Sequence, residues 1–177
     1  MAETVQSNKS IDSLKDSLHF SSGIQRAEIL AQLSWQYRNV NSDSALYFGQ
    51  QAFEFSKEIK YESGIIKSLN FQGIAYRNKS DYSNAFKYFV EALKAAEEAQ
   101  NLEQIGYSNI NIGNIYIYQT NYEGALEYFE KALVPAQDLN DQSMLAYVYL
   151  NLGRTYSRID KYDQAELNYL KTRNIRK

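Results

Sequence analysis

One unit returns along this chain at an interval of 40 residues. Gly73-Ile74-Ala75-Tyr76 leads to Asp81-Tyr82 and on to Ala85, Phe89 and Ala92. Gly113-Asn114-Ile115-Tyr116 leads to Asn121-Tyr122, Ala125, Phe129 and Ala132. Gly153-Arg154-Thr155-Tyr156 leads to Lys161-Tyr162, Ala165, Tyr169 and Thr172. A unit this small cannot bury its apolar face alone, so copies in fixed register must stack on one another. That makes an array, which binds along a groove, in place of a globule around one central site.

The composition fits helices. Hydrophobic residues make up 44%, near the globular average, and 16 tyrosines accompany only 1 proline and 8 glycines. The apolar spacing predicts a short N-terminal helix carrying Ile11, Leu14 and Leu18, after a polar, disordered tail at 1–8. Helices are expected near 24–39, 42–59, 62–79, 82–99, 102–119, 122–138, 142–159 and 162–175. Asp81 and Asn121 stand where N-caps belong, and Pro135 should kink or end its helix near Leu133. Each repeated glycine costs about 1 kcal/mol in mid-helix. Its recurrence points to a close approach of the second helix, with Ala85, Ala125 and Ala165 as the facing small residues. Phe89, Phe129 and Tyr169 should fill the space between paired helices, and Ala92 and Ala132 should admit the next unit. The fold class is all-α: a right-handed α-solenoid of stacked antiparallel pairs, about eight helices plus the short first one. Residues 1–23 form the tail and first helix, and 24–177 the array, in units near 24–60, 61–100, 101–140 and 141–177.

Gly-x-x-Tyr followed by Ala-x-x-x-Phe-x-x-Ala resembles the tetratricopeptide repeat. Ile112 and Leu152 occupy that family's leucine position before the glycine, and Leu69 its first aromatic. Residues 66–177 carry three such units. A fourth is degenerate, with Ser34 for the glycine, Tyr37 retained, Ala45 and Ala52 retained, and Gly49 where the phenylalanine belongs. The family period is about 34 residues, so longer helices or connections are implied here. With Asp43-Ser44-Ala45-Leu46 ahead of Gly49 and Ala52, the long Asn- and Tyr-rich repeats resemble arrays at the N-termini of bacterial sensor histidine kinases and transcription regulators. That resemblance implies an input or interaction module of a larger signalling protein.

Chemistry has little to work with. His19 is the only histidine and cysteine is absent, which leaves no ligand set for zinc and no thiol nucleophile. The glycines are spread along the array, so there is no phosphate-cradling loop. Paired acids such as Glu97-Glu98 fall on solvated helix surfaces. No catalytic residue, metal or cofactor is expected. A net charge of −2 argues against nucleic acid, and no run of about 18 apolar residues could cross a membrane. No signal peptide is read at the start. The compartment stays open between a periplasmic input domain and the cytoplasm.

The resemblance implies that the first helix of each pair lines the groove, through residues six, three and two before the glycine and one, four and five after it. This maps Trp35, Arg38, Lys67, Asn70, Phe71, Arg77, Tyr107, Asn111, Asn114, Tyr118, Asn151, Arg154 and Arg158 onto one surface, together with Glu28, Asn39 and Asn78. Five basic residues and one acid there amount to +4 on a chain of net −2. Arginine and asparagine donors beside aromatic rings suit an extended or C-terminal acidic peptide. The competing reading has the arginines solubilising a helix face and Trp35 packed under the first helix. The family's carboxylate clamp is met in part by Asn111, Asn114 and Asn151, but the lysines do not align, so that specificity is not implied. In the last unit Glu166, Asn168 and Arg173 replace apolar or aromatic residues while Leu167 and Leu170 remain. That is the pattern of a polar cap, of a chain cut from a longer protein, or of a homodimer contact through the C-terminal helix. The expected function is a protein- or peptide-binding scaffold; the alternative is an oligomerisation element acting through the array ends.

Overall fold

The computed structural model describes residues 2–176, with side chains from Ser10 to Arg176. Among them are nine α-helices and no strand: α1 Ala2–His19, α2 Gly23–Tyr37, α3 Ser42–Glu58, α4 Glu62–Asn78, α5 Tyr82–Glu98, α6 Leu102–Tyr118, α7 Tyr122–Asp138, α8 Gln142–Arg158 and α9 Tyr162–Ile175. The chain divides into two compact units, Met1–Ala95 and Ala96–Lys177. The all-α helical-repeat fold expected from the period is therefore present.

Its grammar is written at the corners. Lys60, Ser80, Gln100, Thr120, Asn140 and Asp160 all have positive φ, between 50° and 62°. They recur every 20 residues, half the sequence period, and none is glycine. After each, the next residue's N–H reaches back to the carbonyl five residues earlier, from Tyr61 to Ser56 through Lys161 to Tyr156, at 2.8 to 3.0 Å. That bond closes the preceding helix. The same residue then opens the next one. The side chains of Asp81, Asn101, Asn121 and Asp141 accept from the backbone N–H three residues on, at 3.1, 3.1, 3.0 and 2.9 Å. The first corner differs: Asn41 bonds back to Tyr37 at 2.8 Å with no left-handed residue between, so this unit is one residue shorter.

Tight corners make antiparallel pairs whose contacts recur in the same register from unit to unit. In Met1–Ala95, Gly73 meets Phe89 and Tyr76 stacks on Tyr88 with ring centroids 5.1 Å apart. In Ala96–Lys177, Gly113 meets Phe129 and Tyr116 lies 5.5 Å from Tyr128. The partner of each glycine is thus an aromatic ring and not the expected alanine. A Cβ on Gly73, Gly113 or Gly153 would fall 2.5, 2.7 or 2.7 Å from the ring of Phe89, Phe129 or Tyr169. The first unit inverts the arrangement. Ser34 takes the glycine position and Gly49 the ring position, and the Cγ of Gln72 would lie 2.6 Å from a Cβ on Gly49. Ser34 Oγ donates to the Ala45 carbonyl at 2.8 Å.

Two further expectations are corrected. α1 begins at Ala2 and takes in the expected polar tail from there on, because no glycine or proline interrupts the run into Ile11; Met1 lies outside the described residues. α7 continues through Pro135 to Asp138. Proline removes one bond, to Lys131, and Pro135 and Ala136 are both buried, so packing holds the last turn. α1 packs Ile11, Leu14 and Leu18 against Ile29, Leu33, Tyr37 and Phe48.

Gly113→Ala should lower the unfolding free energy by about 1–3 kcal/mol in urea titration, because the buried ring of Phe129 must move despite the better helix propensity of alanine. Thr120→Gly should raise it by about 0.5–1 kcal/mol, since a β-branched residue there sits in left-handed backbone. An unchanged midpoint for Gly113→Ala would show that the ring does not confine that position.

Candidate functional site

The first helices α2 and α4 share a face in Met1–Ala95. Trp35 is 37% exposed and its ring lies 5.2 Å from that of Phe71. The Arg38 guanidinium sits over Trp35 at 3.5 Å from the ring centroid, and its Nη1 donates to the Trp35 carbonyl at 2.6 Å. Among the described residues, Ile11, Leu14 and Leu18 of α1 pack against Ile29, Leu33 and Tyr37 of α2, a cluster that does not include Trp35. Asn78 Nδ2 donates to the Arg38 carbonyl at 2.7 Å and to Asn39 Oδ1 at 3.3 Å, while Arg77 Nη2 donates to Asn78 Oδ1 at 3.3 Å. Burial, and then the nearby charge of Arg77, holds the Arg38 guanidinium below the usual arginine range.

Lys67 is differently placed. Its Nζ lies 3.0 and 3.1 Å from the two carboxylate oxygens of Glu28, which also accepts from the Tyr61 hydroxyl at 2.5 Å. Burial and that bond raise the Tyr61 pKa. Lys67 and Glu28 therefore cancel on this face. Asn70, expected to hold a peptide backbone, is only 3% exposed. Its position, three before the glycine, is also that of buried Ala31, which packs with Phe71, and of buried Ile110. In these three units the position is buried, so it does not line an open groove.

In Ala96–Lys177 the corresponding helices are α6 and α8. Tyr107, Tyr118, Arg154 and Arg158 are exposed, and Asn111 and Asn114 are half-buried. Burial, then Asp141 and Glu103, raise the Tyr107 pKa. Asn151 is 8% exposed and donates to the Tyr147 carbonyl at 3.1 Å, so it too belongs to the packing. Arg38, Arg77, Arg154 and Arg158 have no carboxylate within 4.0 Å among the described residues.

Counting by position missed the asparagine link in Met1–Ala95. The signal was there: Arg38-Asn39 recurs as Arg77-Asn78. An open cleft of about 610 Å³ lies elsewhere on α2 and α3, lined by Arg26, Leu30, Gln51, Glu54, Phe55, Lys57 and Glu58, and shares no residue with the expected surface. Among the described residues no group of three or more His, Cys, Asp or Glu could hold a metal, and no helix is long and apolar enough to cross a membrane.

Comparison with curated proteins gives no significant match. Among solved structures, the chain is similar to a Rap protein complexed with Competence and Sporulation Factor, at TM-score 0.87 and 18% identity, covering 98% of this chain and 50% of that one. It is similar to aspartyl phosphate phosphatase F from Bacillus subtilis, at TM-score 0.83 and 20% identity, covering 96% and 48%. It also resembles BtubC from P. vanneervenii, at TM-score 0.79 and 19% identity, covering 99% and 75%. The chain thus spans about half the length of the first two. The tetratricopeptide-repeat family model matches residues 64–133 and 104–177, well over half of the chain. With the 40-residue period, the antiparallel pairs and the glycine–ring contacts already described, the chain belongs to the tetratricopeptide-repeat family.

Proposed function

We propose that this chain is a non-catalytic protein- and peptide-binding scaffold, the sensory or interaction module of a larger bacterial signalling protein. Its first-helix faces take an acidic, extended segment. The observation that carries this reading is the set of four arginines, Arg38, Arg77, Arg154 and Arg158, without carboxylate partners among the described residues, in a chain of net −2. Beside two of them the Trp35–Phe71 ring pair offers apolar surface to a neighbouring side chain. The Rap protein of the same fold, solved with Competence and Sporulation Factor, supports a signalling context. The amide contacts of this reading fall to Asn111 and Asn114, since Asn70 and Asn151 are buried.

A second reading, homodimerisation through α9, is favoured by Leu167 at 53% and Leu170 at 37% exposure. They stand three residues apart on the helix side away from buried Ala165 and Thr172, flanked by Glu166 and Arg173. Antiparallel copies would pair those opposite charges twice. Under this reading a dimer mass in solution falls to the monomer mass on Leu167→Lys.

For the first reading, acidic peptides titrated against wild type and Arg77→Glu should lose at least about tenfold in affinity on charge reversal, as expected for a charge-assisted contact replaced by repulsion. Neutral peptides should change little. If every affinity is the same in both proteins, the face is not the binding surface.

A further inference from the structure

Arg38 and Arg77 form a pair that the fold leaves without a countercharge. Their contacts among the described residues are to neutral groups. Arg38 lies on the Trp35 ring and donates to the Trp35 carbonyl, and Arg77 donates to the amide oxygen of Asn78. Asn78 ties the two together by donating to the Arg38 carbonyl at 2.7 Å. Glu28 is held by Lys67 and Tyr61, and Asp43 by Lys79 at 2.5 Å. Two positive charges are therefore brought together beside a partly dry aromatic platform, an arrangement that costs free energy until an anion arrives.

We propose that Arg38 and Arg77 bind a phosphomonoester carried on a segment of a partner protein, with the Trp35–Phe71 platform taking the apolar residue next to it. This rests on the reading of the face as a peptide-binding surface. The choice of anion follows from charge and geometry. A carboxylate brings one negative charge and two oxygens, enough for one guanidinium fork. A phosphomonoester at neutral pH brings about −1.5 to −2 and three acceptor oxygens, enough for two. The Arg38 guanidinium is held on the Trp35 ring and carbonyl and that of Arg77 by the Asn78 amide, so part of their side-chain entropy is already lost before binding. The lowered pKa of Arg38 agrees with a site that is half desolvated and lacks an anion.

The test uses the whole chain, because Trp35 is its only tryptophan and its emission reports on this face. Three peptides of one sequence are titrated, with serine, glutamate or phosphoserine between two leucines, alongside free O-phosphoserine. The phosphopeptide should bind about tenfold tighter than the glutamate peptide, the gain expected from added charge-assisted hydrogen bonds. That preference should vanish in Arg77→Gln and survive in Arg154→Gln. Equal binding of phosphoserine and glutamate peptides, both tighter than serine, overturns the phosphoryl inference and leaves the acidic-segment reading standing. Equal binding of all three overturns that reading as well. A preference that persists in Arg77→Gln removes it from this pair, and free O-phosphoserine binding as tightly as the phosphopeptide overturns the partner-segment assignment.

Discussion

One residue at each corner does two jobs, and the remaining architecture hangs on that economy. Its N–H closes the helix behind it, and in four of the six left-handed corners its side chain caps the helix ahead. The preceding residue must adopt left-handed backbone to allow this, at about 1–2 kcal/mol for a side chain other than glycine. The chain accepts that strain six times with Lys, Ser, Gln, Thr, Asn and Asp. Such a corner leaves no slack. The second helix returns antiparallel to the first in one register, and that register lays an aromatic ring over Gly73, Gly113 and Gly153.

Within that frame the units trade roles without losing packing. The first puts its small residue on the second helix and fills the gap with Gln72; the inner ones put it on the first helix and fill the gap with phenylalanine. Charges sort in the same way. Some are consumed by the fold, as in Glu28 with Lys67 and Tyr61, Asp43 with Lys79, and Glu127 with Lys131. The arginines of the first-helix faces have no carboxylate within 4.0 Å among the described residues, and the proposed reading assigns them to a ligand. The guanidinium suits that task, because it stays charged even when partly buried.

Much of this was legible beforehand. The eight helices from α2 to α9 fall within two residues of where apolar spacing put them, and the caps at Asp81 and Asn121 are made as expected. Trp35, Phe71, Arg38 and Arg77 come together on one face. What position counting could not separate was surface from seam. Asn70 and Asn151 look like donors in a row of letters, yet both are buried. Pro135 reads as a stop, yet a buried last turn outweighs one missing hydrogen bond.

By itself the sequence determined the period, the helices and the corners, because each rests on local chemistry: spacing of apolar residues, a capping oxygen, a break every 20 residues. It also determined which family the chain belongs to. Tertiary structure alone decided which side chain meets which. Only there does the glycine's partner prove to be a ring, Lys67 pair with Glu28, and Asn78 link Arg77 to the Arg38 carbonyl. The physical reason is distance along the chain: Asn78 and Arg38 are 40 residues apart, and only the return of the helices brings them within 2.7 Å.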